Sequence, residues 1–431
     1  MAGFLCRSCG YQTAKWMGFC PQCGAGALDA AGAGSTGRPQ LLVAVADSRR
    51  LSAGLSEVDR VLGGGVVPGA VVLLGGEPGV GKSTLALQWA GATRGHGPVL
   101  IVSGEESAHQ VGMRAERIGC ALDDVLISSA SSAAEIVEQA SKRRPALVIV
   151  DSIQTVDAGG AAVTVGGPAQ VREAAAQLVA FSKQSAIPVV LIGHVTKDGS
   201  IAGPKLLEHM VDVVLYLQGD PDAGIRFLRS SKNRFGSVNE VGVFEMTEAG
   251  LIPVPDPSEL LVAHRDETAP GSVLFPAVDG RRAILVEVQA LTVATKNPQP
   301  RRNVKGVPPA RLHQVLAVLE RHCGLPIGDH DVYLSVMGGA RITEPAADLP
   351  IAVAVASSLT AEPVGSAAAW GEVGLTGELR SVVRSEARRA EVERFMVTNV
   401  AAPGRSVRRI GDVLAMLGLA GDRARRLDVV R

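Results

Sequence analysis

The sequence has few aromatic residues and no excess charge of either sign. Phe, Trp and Tyr together make up 3% of its 431 residues, so stacking of bases on aromatic side chains cannot be a widespread binding strategy. Lys plus Arg number 43 and Asp plus Glu number 43. A nucleic-acid partner would therefore have to meet local basic patches, because no global positive field exists to attract it.

Long hydrophobic runs are also missing. No segment reaches the roughly 18 consecutive apolar residues that a membrane-spanning helix needs, and the start, MAGFLCRSCG, has no apolar run of signal-peptide length. The sequence therefore predicts a soluble, cytoplasmic protein without a membrane partner. Hydrophobic residues still reach 46%, which allows a sizeable core, and the length suggests about three domains.

Four of the six cysteines form two C-x-x-C pairs close to the N-terminus. They are Cys6, Cys9, Cys20 and Cys23. Two such pairs place four thiolates at the corners of a small tetrahedron, the geometry that zinc prefers. Disulfides are an alternative that a cytoplasmic location disfavours, and a redox pair would need a thioredoxin-like βαβ pattern that is not present. We predict a Zn²⁺ ribbon over residues 1–28 and a flexible Gly/Ala-rich linker over 29–50.

A nucleotide-binding motif follows. An apolar run at 70–76 leads into GEPGVGKST and then into a helix-like stretch, which is G-x-x-x-x-G-K-[ST] in its required setting of strand, loop and helix. Lys82 is expected to reach the β- and γ-phosphates of ATP or ADP, and the Ser83 hydroxyl to ligate Mg²⁺. The helix N-terminus adds partial positive charge. The predicted nucleotide-binding residues are Gly76, Glu77, Pro78, Gly79, Val80, Gly81, Lys82, Ser83 and Thr84.

Polar residues end three further strand-like runs. Asp151 follows ALVIV and is expected to hold the Mg²⁺ shell together with the phosphate loop. Glu105 and Glu106 follow VLIVSG, and Glu105, the first acid after the strand, is favoured as the catalytic residue that polarises the attacking water. The alternative for these acids is a solvated turn or a helix N-terminus. His194 ends IPVVLIG and could sense the γ-phosphate, or it could merely cap the strand.

Strands that alternate with helical stretches indicate an α/β domain with a doubly wound parallel sheet and ligands at the carboxyl ends of its strands. We place this domain at residues 51–255, because the Pro-rich stretch PVPDPSE begins at 253 and punctuates the chain there. A linker at 256–270 and a second α/β segment at 271–431 follow.

Several motifs together resemble a known family. The stretch 54–84 is similar to RecA-like ATPases, including the KaiC type. The cysteine ribbon and four further stretches resemble the bacterial RadA (Sms) family of DNA repair proteins. These stretches are SGEES (103–107), DSIQT (151–155), GHVTKDGSIAGPKLLEHMVD (193–212) and KNRFG (232–236). KNRFG is a signature of that family, and the resemblance covers nearly the whole chain.

The resemblance implies a hexameric, ring-shaped helicase-type ATPase that binds single-stranded and branched DNA, acts with the recombinase RecA and drives branch migration. In RecA-like rings, basic residues of one subunit reach the nucleotide of its neighbour, which implies catalytic roles in trans for Lys232 and Arg234. Both residues follow a predicted hairpin, in which strand-like runs at 212–217 and 225–230 are joined by a turn at 219–224. The alternative for both is a solvated turn. The loop 196–205 matches the DNA-binding loop of RecA-like rings, which makes Lys197 and Lys205 candidate phosphate contacts; the alternative is an ordinary surface loop.

The C-terminal segment resembles the C-terminal domain of Lon-type proteases, which need a serine nucleophile and a lysine that takes its proton. Ala346 or Ala347 stands where the serine is expected, and no lysine follows Lys305. We therefore predict a proteolytically inactive domain, which the family resemblance makes a scaffold for ring assembly and DNA binding. Arg301 and Arg302 are its candidate DNA contacts, within a candidate basic surface that also includes Arg281, Arg282, Lys305 and Arg311. The alternative for each is an ordinary solvated side chain.

Two other functions compete with a DNA motor. An ATP-dependent protease is suggested by the Lon-like segment, but the missing Ser-Lys pair argues against it. A KaiC-like signalling ATPase would bind protein rather than DNA, and the cysteine ribbon and KNRFG argue against that function.

Overall fold

The computed structural model describes residues 4–5, 12–13, 21–23, 29–30, 50–93, 96–159, 167–194, 206–219 and 224–420. The chain divides into two units, Met1–Ser48 and Arg49–Arg431. In the first unit, β1 (Phe4–Leu5) pairs antiparallel with both β2 (Gln12–Thr13) and β3 (Asp29–Ala30). Among the helices of the described residues, none combines the length and the hydrophobicity of a membrane span.

The second unit is organised around a large sheet with the order β12-β11-β10-β9-β4-β8-β7-β5-β6. Strands β9, β4, β8, β7, β5 and β6 run parallel, and β10 to β12 extend the sheet antiparallel. The strands are β4 (Val71–Gly76), β5 (Val99–Ser103), β6 (Val125–Ser128), β7 (Leu147–Asp151), β8 (Val189–His194), β9 (Val213–Gln218), β10 (Ile225–Asn233), β11 (Val241–Thr247) and β12 (Gly250–Pro253).

The inner parallel strands, such as β4, β5 and β7, are buried on both faces, which explains why they read as continuous apolar runs. Val72 and Leu74 of β4 pack into one core, and Val71 and Leu73 pack into the other, because successive side chains of a strand point to opposite faces. This arrangement confirms the predicted doubly wound parallel sheet.

Helices cover the two faces of this sheet. Leu85 and Trp89 of α2 pack into the first core, whereas Ile136 of α4 and Leu178 of α5 pack into the second. The helices of this part are α1 (Ser56–Leu62), α2 (Lys82–Ala92), α3 (Ala108–Arg117), α4 (Ala133–Arg143), α5 (Pro168–Ser185) and α6 (Leu206–Met210).

The C-terminal part builds a second sheet with the order β15-β16-β14-β13-β17-β20, together with the short hairpin β18–β19. Its elements are α7 (Pro257–Val262), β13 (Ser272–Asp279), β14 (Arg282–Ala294), β15 (Arg302–Lys305), α8 (Pro309–Cys323), β16 (His330–Val336), α9 (Asp348–Thr360), β17 (Ala367–Ala369), β18 (Glu372–Val373), β19 (Leu379–Arg380), α10 (Ser385–Arg394), β20 (Asn399–Ala401) and α11 (Ile410–Met416). Helix α7 lies inside the stretch expected to be a linker.

The two sheets share an apolar junction. Phe227 of β10 and Val243 of β11 belong to the same buried cluster as Val273 of β13 and Ile284 of β14. The C-terminal part therefore packs directly on the antiparallel extension of the ATPase sheet.

A buried carboxylate reinforces this junction. Glu57 of α1 is 1% exposed and accepts hydrogen bonds from the backbone N–H of Val243 (3.0 Å), from Arg60 Nε (3.1 Å) and from Arg282 Nη1 (2.9 Å). Arg282 extends from β14, so its guanidinium connects the C-terminal part to the first helix of the ATPase part. A buried charge is tolerated because it is paired and hydrogen-bonded.

Replacing Arg282 with Ala should destabilise the protein, because it removes the charged partner that β14 gives to the buried Glu57 carboxylate. We expect the free energy of unfolding to fall by about 3 kcal/mol. The neighbouring Arg281 is exposed, and Arg281→Ala should change it by no more than about 0.5 kcal/mol. Urea unfolding followed by circular dichroism compares the two variants. Equal midpoints would contradict this role for the Arg282–Glu57 pair.

Candidate nucleotide-binding site

The loop between β4 and α2 has the backbone of a phosphate-binding loop. Gly76 ends β4 and Lys82 begins α2. Gly81 has a φ of 110°, and a Cβ there would lie 2.6 Å from Met246 Cε; a Cβ on Gly76 would lie 2.5 Å from the carbonyl oxygen of Leu217. Only glycine fits at these two positions. Glycine therefore allows the tight turn from β4 into α2, which leaves the N-terminus of the helix facing the loop.

Lys82 lies inside this loop with its side chain buried. Its Nζ donates hydrogen bonds to the carbonyl oxygens of Gly76 (2.9 Å) and Glu77 (3.0 Å). Burial lowers the pKa of the ammonium, while the charges of Asp151 and Glu105 act in the opposite direction. The two carboxylates predicted from the sequence therefore lie close enough to act on the predicted phosphate-binding lysine.

The register of the parallel strands brings the remaining site residues to the same edge of the sheet. His194 at the end of β8 is paired with Gly76, and Ser103 at the end of β5 is paired with Asp151 at the end of β7. A small cavity at this edge is lined by residues of α2, α3, β5 and β7. Its polar members are Ser83, Ser103, Glu106, Arg114 and Asp151.

The two adjacent glutamates have different partners. Ser152 is fully buried, and its Oγ donates a hydrogen bond to Glu105 Oε1 (2.9 Å). Glu106 instead forms an ion pair with Arg114. The Glu105 carboxylate is thus oriented by the residue that directly follows β7. Neither Ser152 nor Arg114 was predicted from the sequence, although the serine that directly follows the strand-ending aspartate was a usable signal.

The residues at this edge fit a nucleotide with its magnesium ion. A helix N-terminus and a buried ammonium suit phosphate oxygens, and hydroxyl and carboxylate oxygens suit Mg²⁺. Ser83 and Asp151 would hold the ion, which when bound supplies positive charge against the phosphates.

A buried arginine supports the phosphate loop from the antiparallel side. Arg226 of β10 is 3% exposed, and its Nε donates a hydrogen bond to the carbonyl oxygen of Val80 (3.2 Å). Sequence analysis did not identify it, because a single arginine within an apolar run carries no motif.

The segment KNRFG lies at the opposite edge of the sheet. Strand β10 runs antiparallel to β9, and Asn233 is paired with Val213 of β9. Val213 is in turn paired with Val72 of β4. Val72 lies four positions before Gly76, which corresponds to roughly 13 Å along a strand. The structure confirms the predicted β9–β10 hairpin, but it does not bring Lys232 and Arg234 to the nucleotide loop of their own chain.

Other predicted site residues have different outcomes. Lys197 and Lys205, and the three cysteines Cys6, Cys9 and Cys20, lie outside the described residues; Cys23 lies in an exposed turn at 21–23. Arg301 is exposed. The guanidinium of Arg302 donates to the carbonyl oxygens of Arg301, His330 and Ile327, so it stabilises the local backbone.

Ion pairs occupy the region where a Lon-type protease would carry its nucleophile. Ala346 and Ala347 are buried. Next to them, Asp348 pairs with Arg311 and Glu344 pairs with Arg388. Burial raises the pKa of Asp348, and the Arg311 guanidinium opposes that shift.

The alternating charges of 384–395 predict a helix with an exposed face, and α10 forms there with Glu386, Arg389 and Glu393 exposed. Arg388 lies on the other face of this helix and is fully buried, which the charge pattern did not predict. Its Nη1 also donates a hydrogen bond to the carbonyl oxygen of Pro276. The partners of this arginine come from β13 and the segment before α9, which are distant in sequence.

The fold and the nucleotide site define a RecA-like P-loop ATPase with a Lon-like C-terminal domain. The AAA domain family matches residues 38–200, and the rubredoxin metal binding domain family matches residues 4–25, which include all four clustered cysteines.

Comparison with whole proteins is more specific. The chain is 44% identical to the DNA repair protein RadA of Pseudomonas aeruginosa, over 90% of this chain and 89% of the relative. It is 42% identical to the DNA repair protein RadA of Brucella abortus, over 94% and 92%. A solved structure of the RadB recombinase covers 47% of this chain and 99% of its own, at 25% identity and a TM-score of 0.38. The chain belongs to the RadA family.

Replacing each of the two glutamates with Gln should separate their roles. Glu105→Gln should lower the rate of ATP hydrolysis by about 10²–10⁴-fold, the usual contribution of a general base, while nucleotide affinity stays unchanged. Glu106→Gln is the matched control, because it removes a charge next to the same strand, and it should lower the rate by less than about tenfold. Steady-state hydrolysis and fluorescent-nucleotide binding test this. A larger loss in Glu106→Gln would reverse the assignment.

Proposed function

We propose that this protein is a DNA-dependent ATPase that assembles as a hexameric ring, binds single-stranded and branched DNA and drives branch migration in recombinational DNA repair. The observation that carries the ATPase part is the buried Lys82 ammonium, which lies in a glycine loop under the influence of Asp151 and Glu105. Membership of the RadA family supports the DNA repair part, because the relatives are named DNA repair proteins.

In this proposal the hydrolysis step uses side chains at the carboxyl edge of the sheet. Lys82 binds the β- and γ-phosphates, and Ser83 and Asp151 hold Mg²⁺. Glu105, held by Ser152, accepts a proton from the attacking water. His194, at the end of β8 beside the loop, is the proposed γ-phosphate sensor.

Lys232 and Arg234 are proposed to act on the nucleotide of a neighbouring subunit. Their place at the opposite edge of the sheet supports this, because a side chain that distant cannot stabilise charge on its own chain's nucleotide. Cations supplied in trans neutralise charge that develops on the transferred phosphoryl group, and hydrolysis would then depend on ring assembly.

The other parts of the chain are assigned supporting roles. Cys6, Cys9, Cys20 and Cys23 are proposed to hold Zn²⁺, which the match to a rubredoxin-type metal binding domain supports. The Lon-like domain is proposed to be a scaffold without peptidase chemistry, because no lysine follows Lys305. Arg301 is its better candidate for DNA contact, since Arg302 is engaged with backbone carbonyls. RecA is the proposed partner.

The proposal is tested by measuring ATP hydrolysis with Mg²⁺, in the presence and absence of single-stranded DNA. We expect clear stimulation by DNA in the wild-type protein, and no turnover in Lys82→Ala, because the ammonium that binds the phosphates is removed. A low rate that DNA leaves unchanged, at a salt concentration where binding persists, would contradict the DNA motor. That outcome would favour a signalling ATPase.

Lys197 and Lys205 are proposed to contact DNA phosphates. Lys197→Ala should weaken binding to all DNA sequences alike and reduce the slope of log K against log salt by about 1. Lys142→Ala is the control, because Lys142 is exposed on α4 and pairs with Glu138. Fluorescence anisotropy over a range of salt concentrations gives both slopes. An unchanged slope in Lys197→Ala would exclude a phosphate contact.

A further inference from the structure

A β-bulge changes the direction of the chain just before the KNRFG segment. Ser230 is paired with Leu215 of β9, whereas Lys232 is paired with the adjacent Val214, so the register shifts by one residue at Ser231. Bulges of this kind re-aim the side chain that follows them. The bulge therefore determines where the Lys232 side chain points.

The Lys232 side chain points at the end of α6. Its Nζ donates hydrogen bonds to three carbonyl oxygens, those of Glu208 (2.7 Å), Val211 (2.7 Å) and His209 (3.3 Å). The last carbonyls of a helix have no partner within the helix and carry partial negative charge. An ammonium has three donors and no acceptor, so its bonding capacity is matched by these three oxygens.

Arg234 holds the same segment from its other end. Its Nη1 donates to Asp212 Oδ1 (3.1 Å), while Asp212 Oδ2 accepts a hydrogen bond from the backbone N–H of Val71 (3.1 Å) at the start of β4. Lys183 of α5 also lies 3.8 Å from this carboxylate. Residues 232–234 thus fix 208–212 against the strand that leads into the phosphate loop.

We propose that Lys232 is a positioning residue that caps α6 within its own subunit. The release step described next rests on the proposed function, which places Lys232 on a neighbour's phosphates. One ammonium cannot serve three carbonyls and a phosphate at the same time. The cap and the contact in trans therefore exclude each other, and nucleotide bound in one subunit releases α6 of the next.

Amide hydrogen exchange tests the cap directly. Lys232→Met keeps the apolar stem and removes the ammonium, and without nucleotide it should speed exchange in residues 206–212 by about fivefold, the factor that one net hydrogen bond corresponds to. Lys232→Ala should do the same, and exchange in β7 reports whether either variant is folded. Arg229→Ala is the matched control, because Arg229 lies on the same strand and its Nη1 donates a hydrogen bond to Gln218 of β9. Exchange at the wild-type rate in Lys232→Met would overturn the cap.

The release step is tested with the non-hydrolysable imido analogue of ATP and Mg²⁺. In the wild-type ring, the analogue should raise exchange in 206–212 to the level of Lys232→Met, and in Lys82→Ala it should have no effect. DNA-stimulated hydrolysis together with unchanged exchange in the presence of the analogue would contradict the release of α6 and leave the proposed function intact. Faster exchange in Lys232→Met without any stimulation of hydrolysis by DNA would contradict the proposed function and leave the helix cap intact.

Discussion

Strand β4 is buried on both faces and hydrogen-bonded to a parallel strand on each side, and the positions of the nucleotide-site residues depend on it. Its partners β8 and β9 are aligned so that His194 and Leu217 are level with Gly76. The phosphate loop therefore leaves the sheet where β8 ends and where β7 and β5 present Asp151 and Glu105. A shift of one residue would move every side chain of β4 to the opposite face, so close packing of the two cores fixes this alignment. The chemistry of the site is a consequence of packing in the sheet beneath it.

The same sheet separates two groups of cations. Lys82 lies at the carboxyl edge, inside the loop, whereas Lys232 and Arg234 lie at the other edge, where β10 ends. The second pair is occupied within the chain by the end of α6 and by Asp212, and Asp212 is bonded in turn to the first residue of β4. The two edges are thus joined through one strand. The KNRFG segment is therefore hydrogen-bonded, through Asp212, to the strand that leads into the phosphate loop.

The C-terminal domain shows how a peptidase fold can persist without peptidase residues. Two carboxylates, Glu344 and Asp348, lie on either side of the buried Ala346 and Ala347, and each is paired with an arginine. Removing one partner of such a pair leaves an uncompensated buried charge, so each of the four residues is needed as long as its partner is present. The core of the domain is continuous with β10 and β11, and Arg282 reaches Glu57 across the junction. The domain is therefore joined to the ATPase part by both apolar packing and an ion pair.

The sequence by itself determined the strand–loop–helix motif around Lys82, the acids and the histidine that end β5, β7 and β8, the β9–β10 hairpin and the loss of a Ser-Lys pair. These features are local, because a motif, an apolar run or a missing residue type can be recognised within a few positions of the chain. Only the tertiary structure decided that Ser152 orients Glu105, that Arg282 and Arg388 pair with the carboxylates of Glu57 and Glu344, and that Lys232 caps α6. Each of these contacts joins residues between 21 and 225 positions apart. The sequence does not distinguish a charged side chain that faces water from one that pairs with a carboxylate. Its partner depends on tertiary packing and not on its neighbours in the chain.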